Sequence, residues 1–174
     1  MRTVSIAALA AIFAAPLAAQ AFNPPRVHAS IGGGTQIGLF GFGVRGGVDV
    51  AGKGQFVAAL ALDVGNVGVQ RLRLRPSAEI GILNGANTYA GNFELLYRLT
   101  GDNEAVTPYA GAGLALAGHA GCGSDSGCPS VWVNAVAGVE VRYRSTFNWL
   151  LEYHPMDVFR HNRFYVGLTT RRGS

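Results

Sequence analysis

Histidine, serine and carboxylate side chains close together would be the clearest sign of catalysis in this sequence. Nucleophilic catalysis needs a serine beside a histidine and an acid that orients the imidazole. His28 lies two positions before Ser30, and Glu152 lies two positions before His154. Ser77 shares the alternation of charged residues described below, but no spacing brings it within hydrogen-bond reach of His154. We predict no enzymatic activity and a His154 that is satisfied by polar neighbours.

The two cysteines, Cys122 and Cys128, enclose the short segment CGSDSGC. Metal binding would need further ligands, because two thiols and the nearby His119 make an incomplete site. The N-terminus has the form of an export signal, so the thiols would meet an oxidising compartment. We predict a disulfide, with no metal site and no cofactor.

The segment MRTVSIAALAAIFAAPLAAQA, residues 1–21, has the three regions of a secretory signal. Arg2 gives a basic start, an apolar run follows, and small residues come after Pro16. The run is short for a membrane span, which needs about 20 residues. We predict a signal peptide over residues 1–21, cleaved after Ala21, and one domain over residues 22–174.

The composition favours a single all-β domain. The chain has 174 residues, 49% of them apolar and 14% charged, with 25 glycines. It is too hydrophobic for disorder and too rich in glycine for a helical bundle. The net charge of +4 could attract nucleic acid. The arginines alternate with apolar residues and do not cluster with aromatic ones, so we predict no nucleic-acid partner.

Turn signals at regular intervals divide the chain into segments of strand length. We predict eight strands, near residues 38–50, 55–64, 70–83, 88–99, 106–118, 131–143, 147–154 and 163–171. Residues 27–34 are compatible with an additional strand and with an extended segment that leads into the first one.

The segment RLRLRPSAEI, residues 71–80, alternates charged and apolar side chains. A strand places Arg71, Arg73 and Arg75 on one face and the leucines on the other. The same parity recurs in the other strands. The charged residues that it places on the polar faces are Arg45, Asp49, Asp63, Arg71, Arg73, Arg75, Glu79, Glu94, Arg98, Glu140, Arg142, Glu152 and Arg163.

An ordinary antiparallel sheet with one wet face has the same alternation. Two features favour a closed barrel in a membrane instead. The polar faces carry both signs although Lys53 is the chain's single lysine, which suits confined arginine–carboxylate pairs. The apolar faces have aromatic residues near the strand ends, as in an interfacial girdle. We predict an antiparallel up-and-down β-barrel of eight strands, with the arginines inside and the leucines facing lipid.

Four segments in about the last 70 residues carry a family resemblance: TPYAGAGLALAG (107–118), VNAVAGVEVRY (133–143), NWLLEYHPMD (148–157) and RFYVGLTTR (163–171). They resemble successive strands of the small outer-membrane β-barrel proteins of Gram-negative bacteria, the eight-stranded class of the OmpA and OmpX barrels. The resemblance implies an outer-membrane location, a monomer, and outer-membrane lipid and the barrel-assembly machinery as partners. Some lipid A-modifying enzymes use such a barrel, but His28 and Ser30 do not match their catalytic strand.

The connections predict which end of the barrel faces outward. With both termini in the periplasm, residues 155–162 and the cysteine loop lie outside, whereas residues 100–105 and 144–146 lie inside. The two longest connections would then share the outer end. Lipopolysaccharide or an extracellular partner would bind there.

The interior of an eight-stranded barrel is just wide enough for its own side chains. We therefore predict a lumen plugged by salt bridges, and a structural or surface-interaction role. An excess of arginine leaves a narrow anion-preferring path as one alternative. A secreted lipocalin-like barrel, with leucines inside around an apolar ligand, is another. The end of the chain, residues 169–174, lacks the final aromatic residue of the barrels it resembles, which leaves this second alternative open.

Overall fold

The computed structural model of the chain describes residues 28–31, 34–50, 54–101 and 104–170. These residues form nine strands, which are β1 (His28–Ile31), β2 (Thr35–Asp49), β3 (Gln55–Asn66), β4 (Leu72–Ile82), β5 (Thr88–Arg98), β6 (Val106–His119), β7 (Ser130–Arg142), β8 (Phe147–Met156) and β9 (His161–Thr170). Each strand pairs with the next, and β2 also pairs with β9, so β2–β9 form a closed antiparallel barrel of eight strands. The predicted fold is confirmed. The signal peptide predicted over residues 1–21 lies outside the described residues.

The additional strand β1 pairs with the first residues of β2, on the edge where β9 pairs only with the later residues. It pairs with the start of β2, from His28 opposite Gly38 to Ile31 opposite Thr35. The strand β9 pairs with the later part of β2, from Gly43 to Asp49. Residues 28–31 are therefore a strand outside the eight-stranded closure, which decides between the two alternatives for this segment.

The strand β3 is irregular on both sides near its C-terminal end. Its register against β2 shifts between Asp63 and Gly65, and its register against β4 shifts between Ala61 and Gly65. Gly65 has a φ of 127°, and a Cβ at this position would lie 1.8 Å from the carbonyl oxygen of Gln36. Only glycine fits so close an approach, and such bulges increase the local twist that closes a barrel.

Burial alternates along the strands as the charge pattern predicts. In β5 every second residue from Ala90 to Arg98 is buried, and the residues between them are exposed. Apolar side chains in the interior form two small clusters, which are Leu96, Tyr109, Val136 and Leu150, and Val57, Ala59 and Tyr165. Most of the remaining interior is polar. The charged faces point inward and the leucine-rich faces point outward.

The two ends of the barrel differ in their connections. One end carries the cysteine loop together with the β2–β3, β4–β5 and β8–β9 connections, and we call it the cysteine-loop end. The opposite end carries the β3–β4, β5–β6 and β7–β8 connections. The prediction that the two longest connections share an end is wrong, because β8 continues to Met156 and β9 begins at His161, which leaves only residues 157–160 between them. The second longest connection, residues 99–105, lies at the opposite end.

The cysteine loop contains the predicted disulfide, between Cys122 and Cys128, and a single turn of 3-10 helix, Cys122–Ser124. The disulfide prediction is thus confirmed. Across the described ranges, no helix has the length and apolar character needed to cross a membrane.

The charged barrel interior as candidate functional site

The structure brings most of the predicted charged residues together inside the barrel. The eleven that line the interior are Arg45, Asp49, Asp63, Arg73, Arg75, Glu79, Glu94, Arg98, Glu140, Glu152 and Arg163. Arg71 and Arg142 are exposed instead, and their assignment to the interior is corrected. Arg71 precedes β4 in a turn and Arg142 is the last residue of β7, so both lie at the rim, where solvent reaches their side chains.

A central cluster surrounds the carboxylate of Glu152. It forms ion pairs with Arg45 and Arg75, and it accepts a hydrogen bond from the hydroxyl of Tyr109. Its Oε2 also lies 2.8 Å from Nε2 of His154. The residues come from β2, β4, β6 and β8, so one carboxylate joins four strands that are not neighbours in the sheet.

Arg75 extends this cluster to β5. Its guanidinium binds Glu94, with Nε 2.9 Å and NH2 2.8 Å from Oε2 of that carboxylate. The other oxygen of Glu94 accepts a hydrogen bond of 3.2 Å from the side-chain amide of Asn134. Arg75 therefore bridges two carboxylates, because Glu152 binds its remaining terminal nitrogen. A guanidinium suits this position because its donors form a rigid fork.

The interior also contains Tyr109, which the sequence did not single out. The β6 segment around it is rich in glycine and alanine, so its charge pattern does not orient it. The one available signal is the pairing with Gly138 on β7. A Cβ at Gly138 would lie 2.6 Å from the ring of Tyr109, so the absence of a side chain there makes room for the ring.

A second cluster closes the interior toward the cysteine-loop end. Arg163 binds Asp49, with Nε 3.2 Å from Oδ2, and it also binds Glu79. His161 lies beside them, with Nδ1 2.9 Å from Oδ2 of Asp49. The ring of Trp132 stacks on that of His161 at a centroid distance of 4.7 Å. An aromatic pair thus lies over the ion pairs at this mouth of the barrel.

A third cluster lies toward the opposite end. NH1 of Arg73 is 3.0 Å from Asp63, and NH2 of Arg98 is 3.0 Å from Glu140. The side-chain amide of Asn148 donates to the same Glu140 oxygen at 3.2 Å. The two ion pairs, Arg73–Asp63 and Arg98–Glu140, line a cavity of about 40 Å³. Such a volume holds a few water molecules, whereas ligand pockets typically measure several hundred Å³.

The placement of the predicted residues changes the charge balance on which the anion path depended. The sequence set held seven arginines and six carboxylates, and removing Arg71 and Arg142 leaves five arginines and six carboxylates inside. The excess of arginine therefore does not exist among these residues. The lipocalin-like arrangement is also wrong for this fold, because it required leucines inside and arginines outside.

Of the catalytic candidates, His154, Glu152 and Ser77 do not assemble into a triad. The imidazole of His154 contacts Glu152 at 2.8 Å and the guanidinium of Arg45 at 3.2 Å. The hydroxyl of Ser77 accepts a hydrogen bond of 3.1 Å from the amide of Asn92. Each side chain is thus engaged by a different neighbour. In the described part of the chain, no group of three or more His, Cys, Asp and Glu residues is placed to hold a metal ion.

The architecture defines a class, that of the small closed β-barrels of eight strands. Comparison with known proteins agrees with it, although no protein-family model and no curated protein matches the chain. The crystal structure of Neisserial surface protein A is 13% identical with a TM-score of 0.55, and the match covers 75% of this chain and 94% of that one. The N-terminal β-barrel domain of OprF from Pseudomonas aeruginosa is 11% identical with a TM-score of 0.54, and the match covers 76% of this chain and 97% of that one.

A designed transmembrane β-barrel is similar as well. It is 13% identical with a TM-score of 0.51, and the match covers 76% of this chain and 95% of the designed one. At such low identities the likeness shows the fold alone. The resemblance inferred from the sequence is confirmed at that level, since these structures are small barrels of eight strands like this one.

Proposed function

We propose that this chain is an outer-membrane β-barrel with a structural or surface-interaction role and a lumen plugged by its own side chains. The observation that carries the proposal is the distribution of side chains across the barrel wall. Ion pairs fill the inside, and large apolar residues cover the outside on every strand from β2 to β9. Membrane barrels have this distribution, and soluble proteins have the reverse.

The outward surface is too apolar for a protein surrounded by water. Phe93 is 66% exposed and Val131 is 69% exposed, and both lie within strands. Soluble monomers rarely expose contiguous apolar patches of more than a few hundred Å². A bilayer would cover this surface without any partner protein. The exposed residues themselves therefore support outer-membrane lipid as a proposed partner.

Aromatic residues mark both ends of this apolar surface. Tyr89 and Phe164 are exposed where their strands begin at the cysteine-loop end, and Tyr97, Tyr143 and Trp149 are exposed at the opposite end. Aromatic rings prefer the level of the lipid headgroups, where an apolar ring and a polar group are both accommodated. The two groups are consistent with one girdle at each membrane surface.

The central cluster supports a closed lumen. Glu152 holds side chains from β2 and β4 together in the middle of the barrel, and Arg75 continues the contact to β5. An ion would have to displace these pairs to pass. A plug also agrees with the absence of catalysis that we propose, because the polar groups of the cluster are bound to each other.

The proposed partners follow from the same location. Insertion into the outer membrane requires the barrel-assembly machinery. Once inserted, a monomer would contact lipid along its whole apolar outer wall. Lipopolysaccharide or an extracellular partner would meet the cysteine-loop end, where the β8–β9 connection exposes Val158 and Phe159.

Cell fractionation with a heat-modifiability gel tests the proposal. Membrane barrels resist detergent when unheated and migrate faster than the heated chain. We expect recovery in the outer membrane and a fast-migrating unheated band. Recovery in the soluble periplasm or the medium would overturn the membrane location.

Planar-bilayer recording of the purified protein tests the plug separately. We expect no stable conductance steps, because the ion pairs fill the lumen. A larger barrel of known conductance serves as the positive control. A steady anion-selective current would contradict the plug and restore the narrow path as the explanation of the interior arginines.

A further inference from the structure

The turn between β7 and β8 presents an unusual set of groups at the end opposite the cysteine loop. Arg144, Ser145 and Thr146 are all exposed in this turn. The backbone N–H groups of Tyr143 and Arg144 both donate to the carbonyl of Phe147, at 3.2 and 3.0 Å. The turn is therefore held in one conformation, with a guanidinium and two hydroxyl groups on adjacent residues.

Two outward aromatic residues flank this turn. The rings of Tyr143 and Trp149 lie 5.7 Å apart and are tilted by 58°. The guanidinium of Arg144 lies over the ring of Tyr143, 5.3 Å from its centroid. A cation over an aromatic face is attracted to it, so Arg144 is directed along the outer wall of the barrel.

The outer wall next to the turn continues as an apolar surface toward the middle of the barrel. Val141 pairs with Trp149 across β7 and β8, and Leu151 follows on the same face of β8. Both are exposed. A molecule bound at the turn would thus meet polar groups at its head and an aliphatic surface along its length.

The charges at this end favour an anion. Among the described residues, Arg71, Arg142 and Arg144 are exposed at the rim, against the single exposed carboxylate of Glu104. The carboxylates of Asp63 and Glu140 lie inside the same end and are bound to Arg73 and Arg98.

The exposed Arg160 at the cysteine-loop end differs from Arg144, which contacts the ring of Tyr143. Arg160 forms an ion pair of 3.5 Å with Asp157. Because a guanidinium binds phosphate oxygens through paired donors, the β7–β8 turn has the chemistry of a phosphate site beside an apolar wall.

We infer that the β7–β8 turn binds the phosphate of an anionic phospholipid. Arg144, Ser145 and Thr146 contact the headgroup, Tyr143 and Trp149 lie at the glycerol level, and the acyl chains run along Val141 and Leu151. The inference rests on the proposed membrane location. Beyond that location, it specifies that the bound lipid is anionic and that it binds at the β7–β8 turn. The lipid therefore belongs to the leaflet at the end opposite the cysteine loop.

Fluorescence quenching in vesicles tests the site. The chain has two tryptophans, so a Trp132→Phe background leaves Trp149 as the single emitter while retaining an aromatic ring against His161. The protein is inserted into phosphatidylcholine vesicles that contain a small fraction of either spin-labelled phosphatidylglycerol or spin-labelled phosphatidylcholine. We expect the anionic label to reach Trp149 with roughly fivefold higher relative affinity, the effect of one basic residue at a lipid surface.

Two matched variants locate the preference. Arg144→Gln removes the cation beside Trp149 and should bring the ratio of the two relative affinities close to one. Arg160→Gln removes an exposed arginine at the other end and should leave the ratio unchanged. Equal quenching by both labels in the parent would overturn the lipid site, as would an unchanged preference in Arg144→Gln.

The same samples separate this inference from the proposed function. Insertion is measured first, by heat modifiability and protease protection in vesicles of phosphatidylcholine alone. Failure to insert into any vesicle would overturn the membrane barrel and the lipid site with it. Insertion without a preference for the anionic label would overturn the lipid site alone.

Discussion

Glu152 of β8 and Arg45 of β2 form a buried ion pair across the barrel, although 107 positions separate them in the chain. Neither side chain is exposed to solvent. The same carboxylate also binds Arg75 of β4 and Tyr109 of β6. It therefore connects four strands that are not neighbours in the sheet. Removing one partner of a buried pair leaves the other charge without compensation, which makes such pairs expensive to break.

Glu152→Gln should therefore destabilise the barrel strongly. It leaves Arg45 and Arg75 short of a countercharge in an enclosed space, and we expect a loss of about 3–5 kcal/mol in the free energy of unfolding. Urea unfolding in detergent micelles, followed by tryptophan fluorescence, measures it. Glu140→Gln is the comparison: that side chain is 12% exposed near the opposite mouth, so about 2 kcal/mol is expected. Equal losses of unfolding free energy in the two variants would show that the central cluster stabilises the barrel no more than the ion pair of Glu140 does.

Glu140→Lys should cost more than Glu140→Gln, because it places a second cation against Arg98. The carboxylate oxygen lies 3.0 Å from that guanidinium, and a lysine there replaces attraction by repulsion. We expect about 3 kcal/mol of destabilisation, measured by the same urea titration. Glu104→Lys, on the exposed β5–β6 connection, should change stability by less than about 0.5 kcal/mol. If Glu140→Lys unfolds at the parent's urea concentration, the interior network does not stabilise the barrel.

Gly138→Ala should crowd the interior. The added Cβ would lie 2.6 Å from the ring of Tyr109 and 2.8 Å from Cγ of Glu152, which must both move. Overpacking of this kind costs about 1–3 kcal/mol. Gly91→Ala is the matched control on the outer face, where nothing lies within 4 Å, and it should stabilise the strand by about 0.5–1 kcal/mol. Thermal unfolding in micelles compares the two, and effects of the same sign would contradict the interior position of Tyr109.

Thr170→Val should loosen the seam between β9 and β2. The hydroxyl oxygen of Thr170 accepts a hydrogen bond of 2.8 Å from the backbone N–H of Phe42, one residue before the backbone pairing of the two strands begins. Losing this acceptor should cost about 1 kcal/mol and raise amide exchange at Phe42. Thr169→Val, whose hydroxyl lies 3.5 Å from the Phe42 carbonyl, should change both quantities much less. Unchanged exchange at Phe42 in Thr170→Val would contradict the role of this bond.

Asp125 should titrate below the ordinary aspartate value of 3.8. The backbone N–H of Gly127 donates to its carboxylate at 3.0 Å and lowers the pKa of Asp125 most, followed by the imidazole of His119. A lowered folded-state pKa means that the contribution to loop order is present above the unfolded value and is lost as the pH falls through the folded one.

Carbon NMR of the carboxyl group measures this titration. His119→Gln should raise the pKa of Asp125 only in part, because the Gly127 donor remains. A pKa at or above the ordinary value in the parent would show that the loop does not hold Asp125 in this geometry.

The sequence by itself determined which side chains of most barrel strands face inward and which face outward. Alternation with a period of two is a local property of strand geometry, so RLRLR alone predicts that Arg73 and Arg75 share a face. Turn signals at regular intervals located the eight strands. The alternation then separated a charged face, placed inside, from a leucine-rich face, placed outside. Cys122 and Cys128 were paired because the N-terminus has the form of an export signal, which would bring the thiols of this short loop into an oxidising compartment.

The side-chain positions at strand ends, and in strands of mostly glycine and alanine, could not be predicted in the same way. Arg71 and Arg142 have the parity of the interior, but they lie at the rim, where solvent reaches their side chains. Tyr109 sits in a strand of glycine and alanine, which gives no alternation to orient it. The pairing of β1 depends on which residues of β2 are left unpaired by β9. That is set by the register between two strands far apart in the chain, so no local pattern predicts it.

The partners inside the barrel were decided by the tertiary structure alone. Sequence parity shows that Glu152, Arg45 and Arg75 point inward, but which of them meet depends on the strand register accumulated around the whole closed sheet. The exposure of Arg71 and Arg142 at strand ends reversed the expected excess of arginine in the interior. Alternation is set by the backbone of one strand, whereas a contact across the lumen is set by all eight strands together, and for that reason the first could be predicted and the second could not.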